Sequence, residues 1–197
     1  MTSVRQVVFL GAGLDMRVFR FAESNPALQF FEVDLPEMLE ERERVIAGID
    51  AGSVIRHSVA ADFRRDDIAD KILSTTPFNP ELPTLFVYEG CSMYFDREEN
   101  RRIISNVWQL GKNRASKFWS DFVTTAVVDG KTNRPEIEAF VDQMDELGES
   151  FVFGTDQPAE FLRACGCRQA RSITCRNHMR SPEPIYDAYQ FCVGGNC

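Results

Sequence analysis

The stretch QVVFLGAGLDMRVFR, residues 6–20, restricts the fold more than any other part of the chain. Val7, Val8, Phe9 and Leu10 form a short, partly β-branched apolar run, the pattern of a strand buried in a parallel sheet. Gly11-Ala12-Gly13 follows without a spacer. Asp15 is a good helix N-cap, and Met16 to Phe21 predicts the start of a helix. Strand, glycine turn and helix, in that order, bring backbone close to a nucleotide-like ligand.

The turn departs from the dinucleotide pattern G-x-G-x-x-G, because Met16 stands where the third glycine belongs. Asp15 also puts negative charge where a pyrophosphate would sit. A ligand with a cationic centre and no phosphate, such as S-adenosylmethionine, suits the turn better. The other reading of the two glycines is a tight turn and nothing more.

At 197 residues the length suggests one domain with a full core. A hydrophobic content of 44% against 26% charged residues is that of a globular chain. The net charge of −8 argues against a nucleic-acid partner, since phosphate contacts need a basic patch. No apolar run approaches a membrane span, and no basic-then-apolar signal opens the chain. The expectation is a soluble, cytoplasmic protein with no membrane partner. Cysteines stand at 91, 165, 167, 175, 192 and 197; Cys165-Gly166-Cys167 has no second pair at zinc spacing, and His57 and His178 are isolated. No metal site is expected, and the thiols read as reduced and mostly buried.

Strands and helices then alternate. Phe30 to Asp34 predicts a second strand, and Leu35-Pro36 opens a helix to about Ala47, stopped by Gly48, with Glu40 and Arg44 spaced to pair. Val54 to Val59 predicts a third strand, and Ile68, Ala69, Ile72 and Leu73 mark the apolar stripe of the next helix. Thr84 to Glu89 is a fourth strand. Asp96 and Glu99 form a capping box for a helix through Ile103, Ile104, Val107 and Leu110. A fifth strand lies within Lys117 to Val128. Helices follow over Pro135 to Leu147 and Pro158 to Cys165, and an antiparallel finish over Arg168–Arg176 and Tyr186–Val193. The alternation predicts an α/β fold with a doubly wound, mostly parallel sheet.

In such a sheet, ligands bind beyond the carboxyl ends of the strands, near the switch point. Asp34, Asp62 and Glu89 all fall at or just after strand ends. There they can accept, in turn, ribose hydroxyls, an adenine amino group and a ligand ammonium. Helix capping is the alternative for each.

The stretches VFLGAGLDMRVFRF, FFEVDLPEMLEER, ADFRRDD, PTLFVYEGCSMYF and ESFVFGTDQPAEFLRACGC together resemble the leucine carboxyl methyltransferase family of S-adenosylmethionine-dependent O-methyltransferases. The resemblance implies a Rossmann-like class I methyltransferase domain over residues 1–197, with S-adenosylmethionine as cofactor. It implies that Gly11 and Gly13 floor the methionyl part and that Asp34 holds the ribose, with Glu32 as second candidate. Asp62 and Phe63 would frame the adenine, and Glu89 would receive the ammonium. Tyr94 would lie near the transferred methyl, or would simply pack under the following helix. Family members carry a helical lid before the first strand. Met1 stands only a few residues ahead of that strand, so the expectation is a chain without the lid. Its crevice would then expose Phe19, Phe21, Met93 or Phe95 and favour a homo-oligomer.

The expected activity is methyl transfer to a carboxylate or acidic hydroxyl of a small molecule or peptide C-terminus. A carboxylate needs no base, and the sequence offers none clearly, with His57 and His178 both reading as structural. Two other readings stay open: a non-catalytic methyltransferase-like protein, and a nicotinamide-dependent oxidoreductase with Asp34 on the ribose.

Overall fold

The computed structural model describes residues 4–49, 54–174 and 188–195. The described parts of 1–87 and 106–117 form one compact unit, and 88–105 with 118–195 form another.

The first unit opens with β1 (Gln6–Leu10), buried along its whole length. Helix α1 (Arg17–Ser24) starts one residue later than Asp15 would cap, with Met16 at the N-cap. Asp15 still supports it, since its Oδ1 accepts the Arg17 N–H at 2.8 Å. Next come β2 (Gln29–Asp34), α2 (Pro36–Ile46), β3 (Ile55–Ala60), α3 (Ile68–Thr75) and β4 (Thr84–Tyr88). Pro36 sits in the first turn of α2, where its missing N–H costs no helical bond. β1 pairs parallel with β2, and β2 with β3. The order β3-β2-β1-β4 reverses direction beside β1, which makes the end of β1 a switch point. A run of aromatic contacts fills the core, from Phe31 through Phe78 and Phe86 to Trp108, with ring centroids 5.2, 6.4 and 5.9 Å apart. Leu73, expected on the buried stripe of α3, is exposed. Arg44 pairs with Glu41 at 2.6 Å rather than with Glu40.

In the second unit α4 (Arg97–Trp108) begins with the predicted capping box. Asp96 N–H donates to Glu99 Oε2 at 2.9 Å, and Glu99 N–H to Asp96 Oδ1 at 2.8 Å. β5 (Lys117–Val123) leads to the short α5 (Thr125–Val128), then α6 (Pro135–Glu146), α7 (Pro158–Ala164), β6 (Gln169–Thr174) and β7 (Tyr189–Gly195). Strand order here is β5-β7-β6, and β6 and β7 are antiparallel as expected. Met93 and Phe95 are buried, so they are not the exposed crevice residues the sequence suggested; Phe21 is exposed. Cys165, Cys167 and Cys192 are free and buried, while Cys175, Cys197 and His178 lie outside the described residues.

The class is therefore the expected one: mixed α/β, with a seven-stranded sheet that is mostly parallel and ends in antiparallel strands. Among the described residues no helix is long and apolar enough to cross a membrane.

Candidate functional site

In the first unit the carboxyl ends of three parallel strands lie side by side, and hydrogen bonds continue past them into the loops. Gly11 and Ala12 donate their N–H groups to the Val33 carbonyl at 2.9 and 3.2 Å. Ala61 N–H donates to the Asp34 carbonyl at 2.9 Å. The glycine turn, Asp34 and the Ala61-Asp62-Phe63 stretch are thereby fixed along one edge. Gly11 and Gly13 have φ of 72° and 43°, a left-handed backbone that costs a side-chain-bearing residue energy. This explains both glycines. A Cβ added at Gly13 would meet no described atom within 4 Å, so the turn leaves open space on that side.

Asp34 is not a helix cap. The N-cap of α2 is Leu35, with no side-chain cap bond. The Asp34 carboxylate instead accepts Gly13 N–H on Oδ2 and Leu35 N–H on Oδ1, both at 2.8 Å. Burial raises its pKa above the usual aspartate value, opposed by those two N–H bonds and by the charge of Arg42. Each oxygen keeps acceptor capacity beyond its one backbone bond, the arrangement a pair of vicinal hydroxyls needs. Open space over Gly13 and a half-buried acceptor beside it fit the nucleoside of S-adenosylmethionine.

Glu32, the second ribose candidate, is committed elsewhere. It is fully buried and ion-paired with Arg42, which is itself 1% exposed. Arg56 also reaches Glu32, its Nε donating to Oε2 at 2.7 Å, and bonds Glu43 at 2.8 Å. Arg42 goes further: Nη1 donates to the Gly13 carbonyl at 2.9 Å and Nη2 to the Asp15 carbonyl at 2.7 Å. Sequence reasoning missed Arg42. The available signal was its place between Leu39 and Ile46 on the buried face of α2. Asp15, read above as negative charge at the pyrophosphate position, is ion-paired with Arg17 at 2.6 Å. Its field at the turn is correspondingly weaker than the sequence suggested.

Asp62 serves its own loop first. Its Oδ1 accepts Arg64 N–H at 2.8 Å, and the exposed Arg65 lies 3.5 Å from Oδ2. It does not cap α3, whose N-cap is Asp67, accepting Asp70 N–H. Phe63 is buried.

Glu89 and Tyr94 belong to the second unit. Glu89 directly follows β4, and its neighbour Gly90 donates its N–H to Asp121 Oδ1 at 2.9 Å. Asn100 holds the loop after β4: its Nδ2 donates to the carbonyls of Ser92, Phe95 and Asp96, and its Oδ1 accepts the Tyr88 hydroxyl. Tyr94 ends a 3-10 turn (Ser92–Tyr94), and its ring meets Phe151 edge-on at 5.6 Å. Packing is thus a demonstrated role of this ring. Burial raises the Tyr94 pKa, helped by the nearby acids Glu149 and Asp121 and by Cys91, so its phenol stays protonated at neutral pH. His57 stacks on Phe31 at 4.9 Å, and its Nε2 is buried without a hydrogen-bond partner among the described residues.

A family model described as leucine carboxyl methyltransferase matches residues 1–108, more than half of the chain and all of the candidate residues. The chain belongs to the leucine carboxyl methyltransferase family. A Parafrankia sp. protein named "Putative S-adenosyl-L-methionine-dependent methyltransferase" is 38% identical over 143 residues, 71% of this chain and 45% of that relative. The chain thus spans less than half the length of this curated relative. Human N-acetylserotonin methyltransferase, solved in complex with S-adenosylmethionine, matches at a TM-score of 0.62 and 10% identity, over 97% of this chain and 47% of its own. An O-methyltransferase family 2 protein of Planctomyces limnophilus, solved with apigenin, matches at 0.64 and 11% identity, over 98% and 51%. At those identities the likeness of the two solved structures to this chain is one of fold alone.

Proposed function

We propose that this chain is the S-adenosylmethionine-binding part of an O-methyltransferase acting on a carboxylate or acidic hydroxyl of a small molecule or peptide C-terminus. The observation that carries the reading is Asp34: a half-buried carboxylate at the end of β2, each oxygen oriented by a backbone N–H, beside a left-handed glycine turn. Asp34 takes the ribose hydroxyls, Gly11 and Gly13 let the backbone approach, and Asp62 and Phe63 offer the adenine its edge. Glu89 takes the ammonium and Tyr94 stands near the methyl; these two roles rest on the family resemblance.

When bound, S-adenosylmethionine supplies a methyl on a positively charged sulfur, open to in-line attack by an acceptor oxygen. Held there, the cofactor would give its methyl to an acceptor oxygen and keep the electron pair of the broken C–S bond on sulfur. The chain's residues contribute alignment more than proton transfer. Tyr94 is held protonated, and His57 is packed against Phe31 with its pKa lowered by burial. Neither is assigned as a general base in this reading. This favours an acceptor that is already anionic, such as a carboxylate, over a neutral alcohol.

Calorimetry with S-adenosylhomocysteine tests the reading. Asp34→Ala should keep the thermal transition and weaken binding by about tenfold to a hundredfold, the worth of a hydrogen bond to a charged group. Wild-type affinity in a folded Asp34→Ala would defeat it.

A further inference from the structure

We propose that Arg42, with its buried counterion Glu32, is a positioning residue that presets the glycine turn and the Asp34 carboxylate for a vicinal diol before any ligand arrives. The proposal rests on the ribose reading of Asp34 and adds what holds that acceptor in place.

The argument is a closed ring of contacts. Asp34 Oδ2 accepts the N–H of Gly13, and the carbonyl of the same Gly13 accepts Arg42 Nη1. Arg42 returns to β2 through Glu32, two residues before Asp34. The residue at φ 43° is therefore gripped from both sides, by a carboxylate and by a guanidinium. Arg42 Nη2 takes the Asp15 carbonyl as well, so one rigid fork spans the turn. Arg56, on Glu32 from the other side, keeps that carboxylate from swinging. The positive charge of Arg42 also favours the ionised form of Asp34.

Only a planar fork can make these contacts together. A lysine brings one nitrogen, able to neutralise Glu32 or to reach a carbonyl, but not to span two carbonyls and a carboxylate in a fixed plane. Arg42→Lys therefore separates charge compensation from positioning. A purely structural Arg42 would be largely rescued by lysine. A positioning Arg42 would not.

Two measurements on Arg42→Lys decide this. The first needs no ligand: amide hydrogen exchange at Gly13, Leu14 and Asp15 should speed up by at least about tenfold, with β1 and β2 unchanged. The second compares adenosine with 2′,3′-dideoxyadenosine. The wild type should prefer the diol, and the preference should shrink by about tenfold, one charge-assisted hydrogen bond. If Arg42→Lys does not fold, the double variant Glu32→Gln with Arg42→Gln removes both buried charges and should show the same two losses. A folded variant with wild-type exchange at the turn and wild-type diol preference would overturn the proposal. Were the wild type to bind neither adenosine nor S-adenosylhomocysteine, the ribose reading and the diol step would both fall. Faster exchange at the turn would then still identify the clamp by itself.

Discussion

Two loops that follow strand ends are each stapled by one buried side chain from a helix, and the staples differ in charge. In the first unit Arg42 of α2 holds the carbonyls of Gly13 and Asp15. In the second, Asn100 of α4 holds those of Ser92, Phe95 and Asp96. Asn100 needs only the Tyr88 hydroxyl to complete its bonding. Arg42 needs Glu32, and Glu32 needs Arg56 to use its second oxygen. A buried cation cannot be left unpaired, so the charged staple recruits a network where the neutral one does not. Both anchor a loop; the charged one also sets the field around Asp34, the acceptor proposed for the ribose.

The largest expected effect follows from that network. Arg42→Ala leaves Glu32 buried with half its compensation and should destabilise the chain by about 3 kcal/mol or more. The Glu32→Gln, Arg42→Gln pair should cost clearly less, because Arg56 keeps Glu43 and no fully buried charge is left unpaired. Urea unfolding of the two variants checks this. Equal losses would mean that the network is ordinary packing and that the contrast between the staples is empty.

Asn100→Ala should come next. It removes the amide partner of the Tyr88 hydroxyl and loosens three carbonyls, for a loss of about 2 kcal/mol. No partner variant should restore it, since no counterion is involved. A single partner substitution that recovered Asn100→Ala would erase the distinction.

Which parts of this were legible beforehand follows from distance along the chain. Asp96 and Glu99 are three residues apart, and their reciprocal bonds form as the spacing predicts. The glycine turn and the strand ends were legible for the same local reason. Arg42 was not: its partners are Glu32 on the preceding strand and the Gly13 carbonyl, 29 residues away. A charged residue at an apolar position of α2 is ambiguous until the strand beneath it is known. Glu32 and Asp34 show the same limit. Both are acids on β2, two residues apart, yet the fold spends one on a salt bridge and leaves the other beside the turn. Two residues apart, they share a strand face, so nothing in the pattern FFEVD separates them.

The capping box gives a smaller and purely local effect. Asp96→Ala should cost about 1 kcal/mol, seen as a lower urea midpoint with an unchanged slope. A loss as large as that of Asn100→Ala would mean that Asp96 also holds the loop the amide was thought to hold.

The smallest effect comes from His57, a half-buried polar group with no staple among the described residues. It sits on β3, its ring stacked on Phe31 and its Nε2 buried without a hydrogen-bond partner. Burial lowers its pKa below the usual 6.5. The folded chain therefore takes up the imidazole proton less readily than the unfolded chain does. Stability due to the neutral ring is present above about pH 6.5, the unfolded value. It falls as the pH drops from there through the folded pKa, where the unfolded chain binds the extra proton. The carboxylates titrate over part of the same range, so the informative quantity is a difference between two proteins. His57→Phe keeps a ring on Phe31 and removes the titration. Between pH 7.5 and 5 it should lose less thermal stability than the wild type, by less than the capping-box effect. Identical pH curves for the two proteins would show that the imidazole finds a partner in solution, and His57 would then join the stapled groups rather than stand apart from them.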